Sequence, residues 1–295
     1  MKRIILVLVI LAVTLLVVLK VCSSSTNEQN ISSSRLASFT RAMQKGDTTN
    51  MRVILEKWEK VSPEDPELAT SYFNYYNLLS QNSSLYLSTD STSDGDQFLL
   101  ADSTGKRVGS LSEKTSYSDS YINKGLVIID KAIIKFPDRL DMRFGKIYVL
   151  GQLKRWTDFT TEIIKAVNRS AINKNKWKWT ENKPYAGGEK AFLGSLQGYQ
   201  NDLYNTQNDS LLTNMQDIAQ AVLKYYPNDV QSLSNISIGY IVNNKCEKAL
   251  TYLLRAEKIA PHDPVILSNL SAAYVKMGNK EKAAEYLKLL KRFDK

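Results

Sequence analysis

Histidine and cysteine are nearly missing from this chain. One histidine, His262, and two cysteines, Cys22 and Cys246, occur in 295 residues. A metal site built on several His or Cys ligands is therefore excluded. A Ser-His-Asp or Cys-His arrangement would have to run through His262. That residue lies between Pro261 and Pro264 in "IAPHDPVILSNLSAAY" and reads as a polar turn, with Asp263 capping the helix that Pro264 opens. Two cysteines cannot staple a fold of this size, so a hydrophobic core must hold it. A phosphate loop is lacking too. Beside Gly105–Lys106, Leu100 stands where an earlier glycine is needed and Arg107 where Ser or Thr is needed. The paired carboxylates Asp138–Asp141 and Glu64–Asp65 stand at helix starts, where capping is the expected role. No catalytic residue, metal or cofactor is expected.

The formal charge is +9, and Lys2, Arg3 and Lys20 supply three of it beside one apolar run. The rest is spread along the chain without a basic stripe, so nucleic acid is not an expected partner. Hydrophobic residues make up 43% and charged residues 23%, which argues for a folded body rather than disorder.

Ile4 to Leu19 is apolar apart from Thr14. As a helix these residues span about 24 Å, a little short of a ~30 Å hydrocarbon core. Lys20 can snorkel, so Val21 and Cys22 extend the span. A run with no polar face cannot lie on a protein surface. Residues 1–22 fit an uncleaved signal anchor, a cleaved signal peptide, or a lipoprotein signal with Cys22 lipidated. "LKVCSSS" resembles a bacterial lipobox in its leucine and serines and departs from it at Lys20 and Val21. Each fate exports the body, because Lys2 and Arg3 favour an N-terminus that stays inside. Residues 23–33, rich in serine, read as a flexible tether.

The last third of the chain repeats itself. Residues 230–263 and 264–295 align with Leu233 on Leu267, Ile236 on Leu270, Ser237 on Ser271 and Tyr240 on Tyr274. Ala249 falls on Ala283, Tyr252 on Tyr286 and Leu253 on Leu287, each pair 34 residues apart. Within a unit, apolar residues recur at three and four, which predicts two amphipathic helices around turns at Asn243–Asn244 and Gly278–Asn279. The period marks a solenoid.

On these residues, with Ala256, Pro261 and Gly278, the chain resembles the tetratricopeptide repeat family. The resemblance implies an all-α solenoid of helical hairpins with a concave groove that holds a peptide or a partner protein. Pro63, Pro137, Pro227 and Pro261 read as unit boundaries. Two insertions, 81–117 and 171–188, account for the longer gaps between them. The expected fold is one cooperative stack of about six helix pairs over residues 34–295, with a small β-hairpin around Ser103–Gly105 and an N-terminal membrane helix.

Two sets of residues are binding candidates. Asn235, Asn269 and Lys276 fall on the first helix of a pair, where the resemblance implies a clamp for a peptide carboxylate. Trp177 and Trp179 alternate with lysines in "NKWKWTENKPY". They are expected to fold back onto the solenoid edge; the alternative is a stacking platform for a partner or, shared with Tyr185, for a glycan, or a membrane-interface contact. The chain as a whole reads as a scaffold that binds a protein partner on the exported side of a membrane, tethered through residues 4–22. A glycan-binding envelope protein is the alternative.

Overall fold

The structure, a computed structural model, describes residues 31–88 and 97–293. The apolar run 4–22, Cys22 and most of the tether lie outside the described residues. Among the described residues no helix is long and apolar enough to cross a membrane. Twelve α-helices and one three-stranded sheet are present there. They divide between Phe136 and Pro137 into two compact units, where the sequence led us to expect a single stack.

The first unit holds α1 (residues 31–44), α2 (Thr48–Val61), α3 (Pro66–Ser80), the sheet, and α4 (Asp119–Lys135). Met51, Leu55 and Trp58 recur at helical spacing on α2 and are fully buried. They pack with Phe39 and Ala42 of α1 and with Leu68 and Tyr75 of α3. Asp65 starts α3 by accepting the Glu67 amide at 2.9 Å, and Pro66 takes the first turn. The other oxygen of Asp65 accepts the Trp58 indole N–H at 3.0 Å, which locks the α2–α3 joint.

The insertion between α3 and α4 is a sheet rather than a hairpin alone. β2 (Gln97–Ala101) and β3 (Arg107–Tyr117) form the expected hairpin around Gly105, whose φ is +81°. β1 (Gln81–Ser88) adds a third antiparallel strand, giving the order β1-β3-β2. Its serine-rich composition concealed it. The Ser118 amide donates to the Ser80 carbonyl at 2.8 Å and closes the base.

The second unit holds α5 (Leu140–Gln152), α6 (Trp156–Asn173), α7 (Gly188–Asn205), α8 (Leu212–Tyr225), α9 (Val230–Val242), α10 (Cys246–Ile259), α11 (Pro264–Lys276) and α12 (Lys280–Phe293). Leu233, Ala249, Leu253, Leu267, Leu270 and Ala273 form its C-terminal core. The period is visible in matching ring pairs. Tyr240 stacks on Tyr252 at 5.9 Å, and Tyr274 stacks on Tyr286 at 5.7 Å. Turns repeat as well. Gly46, Lys154, Gln207, Asn244 and Gly278 each adopt a left-handed conformation between the helices of a pair. The α3–α4 pair differs because the sheet occupies its turn.

Candidate functional site

The clamp candidates are engaged within the protein. Asn235 is buried and donates to Gln197 Oε1 on α7 at 2.7 Å. Asn269 donates to Ser234 Oγ on α9 at 2.9 Å. The Lys276 ammonium donates to the Ile241 carbonyl at 2.9 Å and to Asn244 Oδ1 at 3.2 Å. These bonds join α7 to α9 and α9 to α11. They tie successive first helices together and leave each Asn amide and the Lys276 ammonium a further N–H.

The tryptophan loop divides into a core residue and a surface residue. Trp177 is 2% exposed, with its ring 5.6 Å from Phe192. It cannot offer a face to a sugar, and this corrects the platform reading for that residue. Trp179 is 36% exposed and tilts against Tyr185 at 5.2 Å. Phe144 lies edge-on to Trp179, Tyr185 and Tyr199. Burial pushes the Tyr199 phenol well above its ordinary range, and Asp202 and Tyr185 add to the shift. His262 lies exposed in its turn, and Asp263 caps α11 by accepting the Val265 and Ile266 amides at 2.9 and 3.1 Å.

A ligand-sized opening lies elsewhere, in the first unit. A groove of about 440 Å³ is lined by α2, α3 and α4, within the ~300–1,000 Å³ typical of ligand sites. Leu68, Ala69, Ile128, Ala132 and Phe136 give it an apolar floor, and Tyr72 and Tyr76 form an aromatic wall. Their rings stack at 6.2 Å, and Tyr76 stacks in turn on Tyr121 at 6.3 Å. Glu59, Glu64 and Asp65 line the α2 side, and Lys131 and Lys135 line the α4 side. Lys135 pairs with Glu64. The Tyr72 hydroxyl donates to Glu59 at 2.7 Å. Burial, followed by that bond and the Glu59 charge, pushes the Tyr72 phenol well above its usual range.

No family model and no curated protein matches the chain. Solved structures do. One is YrrB, described as a TPR protein with an unusual peptide-binding site, at 16% identity over 81% of this chain and 91% of that one, with a TM-score of 0.39. A second is a tetratricopeptide repeat protein from Parabacteroides merdae, at 10% identity over 87% and 77%, TM-score 0.38. A third is MamA from Desulfovibrio magneticus, at 13% identity over 58% and 85%, TM-score 0.35. At such scores the likeness carries no binding site across, and the repeat assignment rests on the hairpins themselves.

Three features escaped the sequence reading. The first is the groove, whose lining runs from Glu59 to Phe136 in the chain. The second is a buried charge cluster. Arg143 and Lys146 of α5 each donate to Glu162 of α6 at 2.9 Å, and all three side chains are nearly inaccessible. They follow Pro137 by six and nine residues, as Leu233 and Ile236 follow Pro227, so this charged pair stands where the later repeat is apolar. Counting from the boundary prolines could have found it. Burial pulls the Arg143 guanidinium below its ordinary value, against the Glu162 charge. Asp138 and Asp141, expected as caps, are ion-pair acceptors instead. Asp141 accepts Arg139 at 2.7 and 2.8 Å, and Asp138 accepts Arg169 at 2.9 Å. The third feature is the sheet. Register places Leu85, Leu87, Phe98, Leu100 and Leu111 on one face, and Phe98 is 79% exposed.

Proposed function

We propose that this chain is a non-catalytic scaffold that holds a protein partner in the α2–α3–α4 groove. In this reading residues 4–22 tether it to a membrane, with the body on the exported side. The observation that carries the proposal is the groove itself: an aromatic wall and an apolar floor between charged rims, open to solvent and large enough for a few side chains. Such a lining suits a peptide segment, since rings and aliphatic side chains supply affinity and the flanking charges set register.

In-cell photocrosslinking tests the proposal. A photoreactive residue at Ile128 in the full-length chain should yield a defined protein adduct, and the same probe at Leu254 on α10 should not. Absence of any adduct from the groove would remove the scaffold reading. Intact mass of the membrane-extracted protein reports separately on the tether and on lipid at Cys22. A glycan-binding reading keeps one supporting observation, the half-exposed Trp179 against Tyr185. Oligosaccharide quenching of tryptophan emission that Trp179→Ala abolishes would favour it.

A further inference from the structure

The groove's chemistry is specific enough to name what it takes. Its aromatic wall already handles a cation. The Lys124 ammonium lies 5.6 Å from the Tyr121 ring centroid and 6.0 Å from that of Tyr76, the ring that stacks on Tyr72. Phenol faces carry negative quadrupole density, so Tyr72 and Tyr76, the two rings that line the groove, offer a cation seat beside the one Lys124 takes. The lining's carboxylates, Glu59, Glu64 and Asp65, outnumber its lysines, Lys131 and Lys135; Lys135 pairs with Glu64, and Asp65 is taken up by the Trp58 indole and the Glu67 amide. Glu59 is exposed, and it holds the Tyr72 hydroxyl at the edge of the groove. Burial raises the Tyr72 phenol first, and the Glu59 bond and charge add to it.

We infer that the groove takes the guanidinium of an arginine in a partner's segment, seated on the Tyr72–Tyr76 wall and paired with Glu59. Arginine fits better than lysine because its planar head stacks on a ring while its N–H fork meets a carboxylate. The floor of Leu68, Ile128, Ala132 and Phe136 seats an apolar side chain next to it. The inference rests on the scaffold reading and narrows it to one recognition chemistry.

The test uses the full-length protein in detergent and four capped pentapeptides, Ala-Leu-Xaa-Leu-Ala, with Xaa as Arg, Lys, citrulline or Glu. Citrulline keeps the shape of arginine and removes its charge. Affinity is read by fluorescence anisotropy of labelled peptides. The arginine peptide should bind at least tenfold tighter than the citrulline and glutamate peptides, and tighter than the lysine peptide. Glu59→Gln, which keeps an acceptor for Tyr72, should weaken the arginine peptide at least fivefold without lowering the melting temperature. Glu247→Gln on α10 should change nothing. Equal binding of all four peptides, or arginine binding indifferent to Glu59→Gln, overturns the arginine assignment and leaves the scaffold standing. No binding by any of the four overturns it as well, and the crosslinking from Ile128 then decides separately whether the scaffold reading survives.

Discussion

The first unit and the C-terminal repeats handle their polar side chains in opposite ways. Asn235 of α9 and Asn269 and Lys276 of α11 each reach the preceding first helix and bond between repeats. In α2, α3 and α4, tyrosines and charged residues border an opening instead. Regular stacking is what makes the difference. A 34-residue period brings successive first helices close enough for a short amide to bridge them. Between α3 and α4 the sheet replaces the turn that every other pair has, and the groove lies along these two helices and α2. The proposed groove thus lies on the pair whose turn the sheet replaces, at the Pro63–Phe136 end of α3 and α4.

Substitutions can break or sharpen that contrast. The largest effects belong to the second unit and fall on stability. Glu162→Ala leaves Arg143 and Lys146 buried without a counter-charge and should cost about 3–5 kcal/mol in urea unfolding. Replacing Arg143, Lys146 and Glu162 together by leucine should be neutral or stabilising, because the same positions are apolar in the α9–α10 pair. A triple variant as unstable as the single one would show that the charges do more than fill the core. Trp177→Ala should cost about 3–5 kcal/mol, whereas Trp179→Ala should cost less, about 1–2 kcal/mol, since that residue is 36% exposed. Asn269→Ala and Asp263→Ala should each cost about 1 kcal/mol, one through a lost bond between repeats and the other through a lost cap. Neither should alter peptide capture by the groove. His262→Gln should move the melting transition by less than the equivalent of about 0.5 kcal/mol, as a surface turn residue would.

What was legible in the sequence follows from how local each signal is. The 34-residue match of Leu233, Tyr240 and Ala249 to Leu267, Tyr274 and Ala283 is a pattern of spacing, and it names the helices and the turns directly, while the stacking of Tyr240 on Tyr252 and of Tyr274 on Tyr286 emerges only from the fold. Asp263 and Pro264 mark a helix start by residue type alone. The groove was not legible. Glu59, Tyr72 and Lys131 come from three separate helices, and nothing in their spacing says that they share an opening. Trp177 and Trp179 were ambiguous for a related reason: two residues of one loop point to different environments, and Phe192, on the helix that follows, packs against the covered one. The strand at Leu85 and Leu87 was missed because its serines look like those of a linker, and only pairing with β3 gives it a register.

The claim that binding belongs to the first unit is tested most directly by hydrogen exchange on the full-length chain with and without its crosslink-identified partner. The account predicts slowed exchange in α2, α3 and α4 around Glu59, Tyr72 and Lys131, with α9 and α11 unchanged. Protection confined to α9 and α11, around Asn235 and Asn269, would contradict it.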